Sequence, residues 1–189
     1  ADKDIAMQGG ATPLFIASQN GHLQVVCLLF DAGAGKDIAL QGGATPLLVA
    51  SQQGHQEVVC RLSDAGADKD IALQGGATPL FIASQSGHLE VVCLLSDAGA
   101  DKDIAMQGGA TPLLVASQQG HLVPLARRIS EWTPLRKWSV NLLSDAGADK
   151  DIAMQGGATP LFIASQQGRQ EVVGRLSGAR ANKDIAMQD

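Results

Sequence analysis

Apolar residues in the opening unit of this chain fall into two short stripes. Leu14, Ile16 and Ala17 supply the buried side of a first segment, and Leu23, Val25, Val26, Leu28 and Leu29 recur at helical spacing in a second. The residues around the stripes are those that start and stop helices. Thr12 is a good cap and Pro13 suits the first helical position, where its missing N–H costs nothing. Asn20-Gly21 separates the two segments, since both residues tolerate positive φ, and Gly33 ends the second. The pattern predicts two short helices and then an extended loop rich in Gly, Ala and Asp.

The same pattern returns along the chain. Thr-Pro-Leu begins at Thr12, Thr45, Thr78, Thr111 and Thr159, so three steps of 33 residues are followed by one of 48. A helix pair this short cannot bury its apolar flanks alone. Stacking one pair on the next buries them and yields a quasi-one-dimensional array with an extended concave face. The fold class expected is therefore all-α, a solenoid of stacked helix-turn-helix units joined by hairpin loops.

The repeated residues resemble the ankyrin repeat. They are the 33-residue period, Gly-x-Thr-Pro-Leu with Ala three residues after that Leu, Gly-His-Leu-x-Val-Val-x-Leu-Leu and the closing Gly-Ala-Asp. The resemblance covers nearly all of the chain outside 123–137. It implies one domain over 1–189, with repeats at 1–33, 34–66, 67–99, 100–147 and 148–180 and a partial sixth at 181–189; the fourth holds the insert. Two positions depart from the family pattern. The usual His after Thr-Pro-Leu is Phe15, Leu48, Phe81, Leu114 or Phe162, so its side-chain hydrogen bond is lost. The usual Asp at the hairpin tip is Met7, Leu40, Leu73, Met106 or Met154, which suggests less rigid tips.

Other substitutions have local readings. Arg61 and Arg175 replace the first Leu of the pair, and each follows a Glu by four residues, Glu57 and Glu171, the spacing of a surface ion pair. Gly174 sits inside the last second helix, and Arg180 stands where earlier units have a terminating Gly. No unit at either end is clearly a polar cap, so the chain also reads as a segment of a longer array.

Composition narrows the function. Apolar residues make up 45% of the chain, enough for a core, and a net charge of −5 argues against nucleic acid as a partner. No run of 18 apolar residues is present, so no membrane span is expected. Three Cys do not make a disulfide framework, and the expected location is intracellular and cytoplasmic. Cys27, Cys60 and Cys93 share one repeat position. Neighbouring helices lie about 8–10 Å apart, too far for a disulfide or for converging zinc ligands, so plain, partly exposed thiols are expected. His22, His55, His88 and His121 are read as structural. The Gln-Gly-Gly copies lack the Lys-Ser/Thr of a phosphate loop, and Lys3-Asp4 and its copies read as a solvated charge ladder. No catalytic residues, no cofactor and no metal site are expected, and the chain is read as a monomer and not as an enzyme.

A protein partner remains. The residues expected to face it are Gln8, Gln41, Gln74, Gln107 and Gln155 at the hairpin tips, with Asn20, Gln53, Ser86, Gln119 and Gln167 at the ends of the first helices. The stretch from 123 to 141 is the second candidate. It holds both Trp residues, and Arg127, Arg128, Arg136 and Lys137 against Glu131. Leu122, Leu125, Ile129 and Trp132 are spaced as one helical face, an arm up to about 15 Å long. Trp132 and Trp138 would anchor an interface that the uncharged face lacks. Arg127-Arg128-Ile129-Ser130 resembles a basophilic kinase acceptor, which marks Ser130 for phosphorylation. Aligning the ends puts residues 139–145 in register as the fourth second helix. A translated intron or a graft would look equally foreign, so an insert without function stays open. The alternative function is a structural spacer of a larger multidomain ankyrin protein, with no partner of its own.

Overall fold

The computed structural model describes residues 3–120 and 143–184. Helices alternate in pairs: α1 (Pro13–Gln19) and α2 (Leu23–Asp31), α3 (Pro46–Gln53) and α4 (Gln56–Asp64), α5 (Pro79–Ser86) and α6 (Leu89–Asp97), α7 (Pro112–Gln119), then α8 (Pro160–Gln166) and α9 (Gln170–Asp184). Among the described residues no strand forms. First helices pack side by side in the order α1, α3, α5, α7, α8, and second helices follow in parallel behind them.

Local chemistry accounts for each helix start. Thr12, Thr45, Thr78, Thr111 and Thr159 are extended residues whose hydroxyls accept from the backbone N–H three residues on, at 3.2–3.3 Å. Proline follows at each first helical position. The first helix ends less symmetrically than Asn20-Gly21 suggests. Asn20 keeps a right-handed φ of −92°, and Gly21 alone turns positive at +72°. Second helices stop at Gly33, Gly66 and Gly99, all with positive φ, and the next Ala N–H closes onto the carbonyl of Leu29, Leu62 or Leu95. Arg180 brings no such stop, and α9 runs on to Asp184.

The main core is a column of Leu, Val and Ala from Leu14 to Leu176. Leu14, Leu47, Leu80 and Leu113 have no exposed surface. Each buried Leu contributes roughly 1.5–3 kcal/mol of transfer free energy, so the column supplies most of the cohesion. A second cluster lies on the hairpin side, with Leu48, Phe81, Ile82 and Val115 packed against Leu73, Met106 and Ala110. Leu48 and Phe81 occupy the position where the family pattern has His, so apolar burial stands where that hydrogen bond would be. Three expectations of burial fail in the first unit. Ile16, Val25 and Leu28 are exposed, because no preceding helix pair covers them.

The 48-residue step does not disturb the register of the units on either side. α8 packs on α7, Gln155 N–H donates to the Gly108 carbonyl at 2.8 Å, and Asp149 N–H donates to Asp103 Oδ1 at 2.8 Å. Residues 143–145 are helical, Leu143 is buried in the core column, and Ala148 N–H closes onto its carbonyl at 2.8 Å as Ala67 N–H does onto Leu62. The rest of the 139–145 segment lies outside the described residues.

Candidate functional site

The hairpin tips are built from backbone geometry. Met7 N–H donates to the Ala11 carbonyl and Gly10 N–H to the Met7 carbonyl, and the same pair of bonds recurs around Leu40, Leu73, Met106 and Met154. Consecutive tips are tied to one another: Gln74 N–H donates to the Gly42 carbonyl at 2.8 Å and Gln107 N–H to the Gly75 carbonyl at 2.6 Å. This close approach requires glycine. A Cβ on Gly76 would stand 2.8 Å from Met106 Cα, and one on Gly109 2.7 Å from Met154 Cα, at φ values of +90° and +85°. The tips from Leu40 to Met154 are thus tied to one another by main-chain bonds.

On this frame Gln8, Gln41, Gln74, Gln107 and Gln155 are all exposed. Asn20, Gln53, Ser86, Gln119 and Gln167 are exposed at the ends of the first helices. The main-chain ladder lines up Gln74, Gln107 and Gln155, and side-by-side packing of the first helices aligns the second set. Arg127, Arg128, Ser130, Trp132, Arg136, Lys137 and Trp138 lie outside the described residues, as does His121.

The histidines have a definite partner. His55 Nε2 lies 3.0 Å from the Gln19 carbonyl oxygen, and His88 Nε2 lies 2.9 Å from that of Gln52. A carbonyl can only accept, so Nε2 carries the hydrogen. Each ring also covers the glycine that ends the preceding first helix, for a Cβ on Gly21 or Gly54 would be 2.7 Å from its Nδ1. Arg169 covers Gly120 in the same way.

The acidic loop residues are more than a solvated ladder. Asp4, Asp37, Asp70 and Asp103 each accept through Oδ1 from a main-chain N–H of the next unit: Gly35, Asp68, Asp101 and Asp149, at 2.8–3.0 Å. Asp68, Asp101 and Asp149 accept from the N–H two residues on and brace their own turns. These carboxylates were missed as structural because their partners lie 31 or 46 residues away. Neither i,i+4 pair forms: Glu57 and Arg61 make no ion pair, nor do Glu171 and Arg175. Arg61 instead stacks on Phe30 of the preceding unit, its guanidinium carbon 5.4 Å from the ring centre.

Reactive groups are not gathered. Cys27, Cys60 and Cys93 form no disulfide and are half-buried. Burial pushes the Cys60 thiol above its usual pKa, and the Asp64 carboxylate, 3.7 Å away, raises it further by charge and by accepting its hydrogen. Among the described residues no group of three or more His, Cys, Asp or Glu is placed to hold a metal ion, and no helix is long and apolar enough to cross a membrane.

A family model described as ankyrin repeats (3 copies) matches residues 1–72 and again residues 47–128. The chain belongs to the ankyrin-repeat family. No curated protein matches it. Ankyrin repeats are generally protein–protein interaction modules, and the family is typically non-enzymatic. That general role suits the exposed, polar and aligned ankyrin tips.

Proposed function

We propose that this ankyrin array is a scaffold that binds another protein through the face made by its hairpin tips and first helices. The observation that carries the reading is the row of exposed glutamines, with the tips of Gln41, Gln74, Gln107 and Gln155 already bonded to one another. A rigid row loses little entropy on binding, and uncharged amides both donate and accept, which suits a partner's main chain or polar side chains. The contacting residues are Gln8, Gln41, Gln74, Gln107 and Gln155, with Asn20, Gln53, Ser86, Gln119 and Gln167. The basic stretch with Arg127, Arg128, Trp132, Arg136, Lys137 and Trp138 is a second contact surface on the same reading, switched by phosphate on Ser130.

Residues 1–189 act as one domain in this proposal, with 123–137 an insert that leaves the stack in register. Three thiols outside any disulfide favour a reducing, cytoplasmic setting. The test is affinity capture with identified partners, using the full chain, a chain lacking 123–137, and a Gln74→Lys, Gln107→Lys double variant. A protein held by the full chain and released by the double variant is expected. Capture that neither change alters overturns the assignment, and no specific partner for any of the three would favour a structural spacer.

A further inference from the structure

Successive units copy their surface as well as their fold. Gln41, Gln74, Gln107 and Gln155 hold the same place on successive tips, and all are exposed. Each follows a half-buried apolar residue, Leu or Met. The tip of the second unit carries no charged residue from Ile38 to Pro46, and its later copies repeat that neutrality.

The pitch of this row is set by the stack. Packed helices lie about 8–10 Å apart. The N–H groups of Gln74, Gln107 and Gln155 each bond to the preceding tip at 2.6–2.8 Å, so the 48-residue step leaves the row unbroken. Equivalent sites at one pitch suit a partner that repeats at the same pitch. A polyproline II helix does so, because three residues at about 3.1 Å each advance it by about 9.3 Å per turn. An extended strand also covers one step in three residues. Its side chains alternate, however, so successive tips would meet opposite faces of it. An α-helix needs six to seven residues per step at about 1.5 Å each, and its carbonyls are already bonded within the helix.

Taking the tip face as the binding face proposed above, we propose that its occupant is an uncharged, proline-rich segment in polyproline II conformation, laid across the tips with one turn to each unit. The carbonyls of such a segment have no internal partner, and the side-chain NH2 of each tip glutamine donates to one of them. The pyrrolidine rings rest on the half-buried Leu and Met shoulders beside the glutamines. Proline has no N–H, so the segment brings no donor that this face must satisfy. Its conformation is set before binding, which keeps the ordering cost low. The four tips from Gln41 to Gln155 span three steps and accommodate about ten residues.

The test is the affinity of the full chain for a capped polyproline peptide of about twelve residues, read by fluorescence anisotropy. A capped Gly-Ser peptide of equal length is measured beside it. Saturable binding of polyproline is expected, with the flexible peptide weaker by roughly tenfold or more because it must first be ordered. Gln74→Met and Gln107→Met together remove two donors while nearly keeping side-chain length. Both positions are exposed, so the fold is kept, and affinity is expected to fall roughly tenfold. Lys69→Met, on the neighbouring loop, is expected to leave it unchanged. Equal affinity for the two peptides, no loss in the double Met variant, or no binding of polyproline at all overturns the proposal. If polyproline fails while Gln74→Lys, Gln107→Lys still releases a captured protein, the tip face stands and only this occupant falls.

Discussion

His88 Nε2 stands 2.9 Å from the carbonyl oxygen of Gln52, 36 residues earlier. The bond joins the start of one second helix to the end of the preceding first helix, where carbonyls lack helical partners. Replacing His88 with Ala is expected to remove about 1 kcal/mol of stability. For a chain of this length that lowers Tm by about 2–4 °C. Thermal melts at dilute concentration check this. His22→Ala, with no carbonyl partner among the described residues, is expected to leave Tm unchanged.

The loop carboxylates act at a different point of each boundary. Asp70 Oδ1 accepts from Asp101 N–H at 3.0 Å. Asp70→Ala leaves that donor without its partner and is expected to cost about 1 kcal/mol in a denaturant titration. Lys69→Ala, on the same loop, is expected to cost nothing measurable. Equal effects would return the loop to a simple charge ladder.

Gly174 is the weak point of α9. It lies within the helix at an exposed position, and among the described residues a Cβ there would meet nothing within 4 Å. Gly174→Ala is therefore expected to stabilise the last unit by about 0.5–1 kcal/mol. A rise in the helical melting midpoint checks it; a fall would mean that the helix is not formed through residue 174.

Cys60 is held in its thiol form by burial first and then by Asp64. Asp64→Asn removes the carboxylate charge, so the thiol pKa falls and the thiolate fraction at neutral pH rises. The rate with a disulfide reagent, followed in a Cys27→Ser, Cys93→Ser background, is therefore expected to increase. The gain should vanish at high pH, where the thiol ionises in both proteins.

Much of this fold is legible one unit at a time. Thr45 caps α3 through a bond to Leu48 N–H, three residues away, and Gly66 ends α4 by its own φ. Such signals act within a turn of helix, so sequence displays them directly. The glutamine rows follow from the same grammar, because a tip residue in a polar turn has nowhere to go but outward. Contacts between units are harder. Glu57 and Arg61 have helical ion-pair spacing, yet Arg61 lies on Phe30, because the aromatic ring is supplied by another unit. Asp37 looks like a solubilising charge until Asp68 N–H comes within 3.0 Å.

The segment Pro-Leu-Phe-Ile-Ala-Ser occurs at 13–18, 79–84 and 160–165. In each copy the amino acids alone determine a Thr-capped helix with its Leu turned inward. What they leave undetermined is the fate of the two residues between. Ile82 and Phe81 are both buried, Ile16 is 36% exposed while Phe15 is covered, and Phe162 is 57% exposed in the last copy. Helix formation is decided by neighbours within about four residues, whereas burial of those flanks depends on the unit stacked before or after, and only the tertiary structure supplies it.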